Sequence, residues 1–268
     1  MPQFVQNNTI IYYESYGCGV PLVFVQDPLY SHEFFQQQID YFKGRFRVVV
    51  LDLRGSGESG KLGVSTTEII YTHCKDICLL LDYLRISSAT LIGIAGGGAL
   101  IQQFAVMYPY KVHAIVVADC CRDDARGVGG KMLRALEVCS WISYYLPGEM
   151  FSRSLRMMYS RWLPAYKLLR KQLLHKRPTE LIKQYWAISR INSKELFPKL
   201  HVPVMLIVSE GNDFLVNKAK EMIESFSYVK LVIIEDSIQP SNLCQPLQFN
   251  RALHAFLNEN DEQEQASY

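Results

Sequence analysis

Apolar and polar positions in this chain follow two alternating rhythms. Thr9 to Tyr16 reads as a first strand, closed by Gly17 and Gly19, and Pro21 to Val25 as a short buried one. Phe34 to Phe42 carries apolar residues near helical spacing, and Arg47 to Leu51 is a further buried strand. Thr66 to Arg85 predicts a long amphipathic helix with Thr66, Thr67 and Glu68 as capping residues. The apolar run from Ala89 stops at the glycines 93–98 and resumes with helical periodicity over Ile101 to Tyr108, the pattern of strand, sharp turn and helix. His113 to Asp119 is another strand. The alternation then breaks: the chain is helical and aromatic until Val202 to Val208, followed by a last strand at Val229 to Ile234 and a closing helix from Gln245 to Leu257. The polar tail, Asn258 to Tyr268, is expected to fray. Strands alternating with helices imply right-handed crossovers and a mostly parallel sheet flanked by helices. The expected division is an α/β core from residues 1–119 and 200–268, interrupted by a helical cap at 120–199.

Composition fits that picture. A chain of 268 residues, 49% hydrophobic and 20% charged, can bury one large core. No run of eighteen apolar residues is present, and Met1 to Asn8 lacks the basic start and apolar stretch of a secretory leader. The seven cysteines form no disulfide framework. The expectation is a cytoplasmic protein with reduced thiols. Net charge changes the picture more. The overall +2 conceals 16 Lys and Arg against six Asp and Glu between Cys120 and Leu200.

The glycines at 93–98 lack the spacing of a dinucleotide or phosphate loop. They match instead the frame of a nucleophile elbow, G-x-S-x-G, in which a strained turn displays a serine at the top of a parallel sheet. Gly93 and Gly97 stand at both glycine positions, but the nucleophile position is Ala95.

Taken with three other features, the chain resembles the α/β-hydrolase family over nearly its whole length. These are Asp52-Leu53-Arg54-Gly55-Ser56-Gly57-Glu58-Ser59, similar to that family's D-x-R-G-x-G-x-S loop, the helical insertion where the family places its cap, and Gln245-Pro246-Leu247-Gln248-Phe249-Asn250, similar to its closing Q-P-x-x-F-N. The resemblance is to the capped esterase and lactonase branch. It implies a serine, an acid after the next-to-last strand, a histidine after the last, and an oxyanion hole built from the N–H after the nucleophile and one from an H-G-x loop.

Against that expectation three sites are changed. Ala95 has no nucleophile, and Gln239 stands where the histidine belongs, without a proton to shuttle near pH 7. The oxyanion loop reads Gln26-Asp27-Pro28, in which proline has no N–H and Asp27 brings negative charge toward the place where it would develop. Asp213 is the best acid candidate, with Asn212 a competing alignment. Cys120 and Cys121, beside Arg122, are weighed as replacement nucleophiles and read as core thiols. His254 and the other five histidines fall at no position assigned to a base.

The residues therefore point to a hydrolase fold without a working Ser-His-Asp triad, needing no cofactor or metal. A cap over the strand ends still makes a pocket, with Gln26, Pro28, Leu29, Ala95, Gly96, Leu215 and Gln239 expected to line it. The open N–H groups at Ala95 and Gly96 suggest a small apolar or acyl ligand with a carbonyl or acidic end. The alternative is an enzyme running a non-hydrolytic reaction there, with Asp213 as base. The basic cap suggests an acidic protein partner, as some capped esterases of the family have in an acyl carrier protein, or a membrane surface. Nucleic acid is not expected, since no recognition motif accompanies the charge.

Overall fold

The computed structural model describes residues 3–6, 9–120, 142–226 and 228–266. Its eight strands are β1 (Gln3–Gln6), β2 (Thr9–Tyr16), β3 (Pro21–Val25), β4 (Arg47–Leu51), β5 (Ala89–Ile94), β6 (Val112–Ala118), β7 (Val204–Ser209) and β8 (Val229–Ile234). They form one sheet in the order β1-β2-β4-β3-β5-β6-β7-β8. β1 and β2 are antiparallel to their neighbours, and every pair from β4 onward is parallel. Eight helices accompany them among the described residues, apart from single-turn pieces: α1 (Gln36–Phe42), α2 (Ile69–Tyr83), α3 (Gly96–Met107), α4 (Ser152–Met158), α5 (Leu163–Leu174), α6 (Pro178–Ile188), α7 (Asp213–Ser225) and α8 (Pro246–Ala266).

Strand alternation divides the core in two. Leu22 and Phe24 point to a face filled by Phe34, Phe35, Phe42 and Phe249. Val23 and Val25 point to the other, filled by Ile77, Leu100 and Phe104. Burying each such side chain contributes about 1.5–3 kcal/mol.

Three boundaries differ from expectation. α2 begins at Ile69 rather than Thr66, because Ser65 and Glu68 hydrogen-bond each other ahead of it at 2.6 Å. α3 begins at Gly96, so the glycines 96–98 belong to the helix. α8 runs on to Ala266 through the segment expected to fray. Within 120–199 the described residues hold helices and no strand.

The turn between β5 and α3 is set by close approach of backbones. Ala95 sits at φ 51°, ψ −118°, and its N–H donates to Ala118 O at 2.9 Å. A Cβ on Gly97 would lie 2.2 Å from Val25 O, and one on Gly93 2.5 Å from Gly97 O. Gly97→Ala should therefore lower stability by about 3 kcal/mol, read as a shift of the urea midpoint.

The loop after β4 is a structural knot. The Asp52 carboxylate accepts from the backbone N–H groups of His32 (2.5 Å) and Glu58 (2.8 Å), and His32 Nδ1 lies 3.0 Å from it. Gly55, Gly57 and Gly60 carry dinucleotide-loop spacing, yet no helix starts there. The turn is folded tightly over Asp52 instead, whose Oδ2 would lie 2.1 Å from a Cβ on Gly57. Arg54 is buried in a bidentate pair with Asp76 at 2.5 and 2.8 Å. Burial raises the Asp76 carboxyl despite the guanidinium, so the pair's worth lies in not being broken.

Candidate functional site

The C-terminal ends of β3, β5 and β6 converge under the helical insertion, and the elbow is at their centre. Ala95 keeps the strained backbone that would display a nucleophile, a conformation costing about 1–3 kcal/mol, but offers only a methyl group. The next residue, Gly96, carries the N–H that would face an oxyanion. It donates instead to Asp27 Oδ2 at 3.0 Å.

Asp27 is only 5% exposed, and two further donors hold its other oxygen: the Leu29 N–H at 3.0 Å and the Tyr185 phenol at 2.5 Å. The loop is closed by Tyr30 N–H on Asp27 O at 2.9 Å. Pro28 presses on the same spot, its Cδ 3.0 Å from where a Gly96 Cβ would be. A carboxylate thus occupies the anion-binding position, held by a phenol from α6, 158 residues away. The N–H expected to receive a carbonyl or acidic ligand end is already taken.

Gln239 lies on the far side of the elbow. Its Nε2 donates to Asp119 O at 3.3 Å, and its own carbonyl accepts the Tyr159 phenol. Asp119, at φ 49°, is buried. Its carboxylate ties the end of β7 to the segment after β8 by accepting Ser209 N–H (2.9 Å) and Ser241 N–H (2.6 Å). Burial pushes this carboxyl up, against the pull of those two N–H groups. Asp119 is a cross-tie rather than a partner for an imidazole.

Tyrosines surround this arrangement. Tyr30 stacks on Phe34 with centroids 4.3 Å apart, and Tyr144 on Tyr185 at 5.6 Å. Burial, reinforced by Asp27, raises the Tyr30 and Tyr185 phenols well above their ordinary value. Burial raises Tyr159 as well. These groups stay protonated, and Tyr159 and Tyr185 donate hydrogen bonds; they are not bases.

The comparisons with known proteins bear on the fold. Residues 21–133 match the family model described as alpha/beta hydrolase fold. The enol-lactonase from Burkholderia xenovorans LB400 superposes with a TM-score of 0.81 at 18% identity, over 96% of this chain and 100% of that one. This chain has the α/β-hydrolase fold. A thermophilic esterase from Thermogutta terrifontis, at 19% identity over 96% of this chain and 97% of that one, superposes with a TM-score of 0.81. An 86-residue stretch is 36% identical to 3-oxoadipate enol-lactonase 2 of Acinetobacter baylyi, 32% of this chain and 31% of that protein. An 83-residue stretch is 36% identical to epoxide hydrolase 4 of Mus musculus, 31% of this chain and 23% of that protein. The match thus spans under a third of the length of these two curated relatives.

Within the α/β-hydrolase frame, the structure brings together Asp27, Pro28, Leu29, Ala95, Gly96 and Gln239. It separates the others. Asp213 is exposed in the first turn of α7, whose start is capped by Asn212 Oδ1 accepting Leu215 N–H at 3.1 Å. Leu215, expected in the pocket, packs in the core with Ala219 and Met222, because a buried position follows from its helical phase. Gln26 is fully buried and turned away toward Asp52, 3.5 Å from it. Cys120 is also core, against the backbone of Gly98. Cys121 and Arg122 lie outside the described residues. His254 is on the surface beside Tyr41 and Arg45. Sequence reasoning missed Tyr30, Tyr159, Tyr185 and Asp119. Only Tyr30, three residues beyond Asp27 in the same loop, carried a local signal.

Proposed function

We propose that this chain is a hydrolase-fold binding protein that holds a small, mainly apolar ligand under its helical insertion without cleaving it. The observation that carries this reading is the Asp27 carboxylate on the Gly96 N–H, beside an elbow that bears alanine. Nucleophile, base and oxyanion donor are all missing from the positions where acyl transfer needs them. Phenols, aromatic rings and a carboxylate remain, which favour a neutral or hydrogen-bond-donating ligand end over the acidic end expected from sequence. The names of the similar proteins, lactonase, esterase and epoxide hydrolase, support a small-molecule pocket.

The competing reading is a reaction that needs no nucleophile, and it requires a base. Asp213 is on the surface, and the oxygens of Asp27 are engaged by three donors, so neither is poised to take a substrate proton. The test is twofold. Hydrolysis of p-nitrophenyl butyrate and octanoate should not exceed a heat-denatured control. Octanamide and 1-octanol should raise the melting temperature, and octanoate should not. Ester turnover above the control, or stabilisation by octanoate alone, would overturn the proposal.

A further inference from the structure

Among the described residues, the helical insertion presents an exposed face of mixed charge and apolar side chains. α4 buries no side chain outright. Leu155 is half-buried against the core, and one helical turn on, Tyr159 is buried. The opposite side of the helix therefore faces outward and carries Arg153 and Met157, with Arg156 on its flank, following the i, i+3, i+4 neighbourhood of a helix surface. Met157 is 78% exposed and Met158 61%, and Met150 just before the helix is 64% exposed. Tyr145, Leu146 and Leu163, from the adjoining turns, are exposed as well.

Charge is concentrated on the same piece of chain. Between Tyr145 and Arg177 the only acid is Glu149, against Arg153, Arg156, Arg161, Lys167, Arg170, Lys171, Lys176 and Arg177. Several of these cations are used internally. Arg161 pairs with Asp236 and Lys171 with Glu33, while Arg177 donates to the carbonyls of Ser59 and Gly57. Arg153, Arg156 and Lys167 have no ion pair among the described residues, and all three are exposed.

We propose that this face docks on an anionic phospholipid surface, with Arg153, Arg156 and Lys167 meeting phosphate groups and Met150, Met157 and Met158 entering the headgroup boundary. Charge complementarity selects an acidic partner. The exposed methionines select lipid over protein: Met150, Met157 and Met158 leave flexible, apolar thioethers in solvent beside these cations. A fluid interface accepts flexible apolar side chains interleaved with cations, the composition of an interfacial helix. No described helix is long and apolar enough to cross a membrane, so the contact is peripheral. Docking this way would set the helical insertion, and the site beneath it, against the bilayer.

The experiment is co-sedimentation of the full chain with vesicles of phosphatidylcholine containing 30% phosphatidylglycerol, beside pure phosphatidylcholine, at low and high salt. Binding is expected only to the anionic vesicles, falling at least tenfold in 0.5 M NaCl. Each basic residue near such a surface strengthens binding about fivefold, so Arg153→Ser/Arg156→Ser/Lys167→Ser should weaken it about a hundredfold. Met157→Ser/Met158→Ser should weaken it several-fold at unchanged salt dependence. All of these residues are exposed, and an unchanged melting curve for each variant confirms that the fold is intact. Three results would overturn the proposal. The first is absence of binding to anionic vesicles, and the second is equal binding to pure phosphatidylcholine. The third is binding to soluble polyglutamate as strong as to vesicles with no effect of the methionine exchange, which would assign the face to an acidic polypeptide.

Discussion

Ala95→Ser alone leaves ester hydrolysis at background, whereas Asp27→Gly/Ala95→Ser/Gln239→His raises kcat/KM for p-nitrophenyl butyrate by at least about a hundredfold over that single variant. The single exchange restores a hydroxyl on the right strained turn, but nothing beside it takes its proton. Gln239 is tied to the Asp119 carbonyl and has no basic nitrogen to offer. The forming oxyanion would, moreover, meet a carboxylate on the Gly96 N–H. One oxyanion donor is worth about 10²–10³ in turnover, and a negative charge in its place is worse than its absence. Clearing Asp27 leaves the Tyr185 phenol without its acceptor, so the triple variant should also lose about 1–3 kcal/mol of stability. The discriminating comparison is the triple variant against Ala95→Ser/Gln239→His. If the two hydrolyse equally fast, Asp27 does not occlude the hole, and the binding-protein reading loses its main support.

The fold was legible because its parallel strands are short apolar runs alternating with helical stretches, and because Gly93 and Gly97 mark a place where only glycine lets backbones pass. β1 escaped notice: it is a four-residue edge strand of mixed polarity, and pairing with β2 defines it more than its own pattern does. α3 was placed too late because glycines read locally as helix breakers, while tertiary approach of Gly97 to Val25 demands them inside the helix. At the site, the missing groups were readable one position at a time. The replacement was not. That Asp27 is negative follows from the sequence; that its carboxylate seats on Gly96 and is held by Tyr185 depends on contacts 69 and 158 residues apart. The same holds for Asp119, which looks like the end of a strand and proves to join the end of β7 to the segment after β8 through backbone N–H groups.

Acid should loosen the helical insertion through a histidine remote from the elbow. His73 of α2 is fully buried, and its Nε2 lies 3.0 Å from Gln184 Oε1 of α6, the helix that also carries Tyr185. Nδ1 has no hydrogen-bond partner among the described residues. Burial above all, with a smaller push from Arg54, lowers its pKa to about 4, the Gln184 contact offsetting part of the fall. The unfolded chain takes up this proton near pH 6.5, while the folded chain does not until about pH 4. Between those values the unfolded state binds more protons, so stability rises with pH and is lost as pH falls, by about 3 kcal/mol in all. Other groups act in the opposite sense. Asp76 and Asp119 are raised by burial, and His32 is raised because Asp52, Glu14 and Glu33 outweigh its own burial. The His73 contribution is therefore read as a difference: urea midpoints of the wild type and His73→Gln, at pH 7 and pH 4.5. The wild type should lose about 2–3 kcal/mol more than the variant over that interval. Amide exchange in α2 and α6 should accelerate first, since protonation places a second cation near Arg54 in the buried space where His73 meets Gln184. Equal pH slopes for both proteins would show that His73 is not the group that titrates.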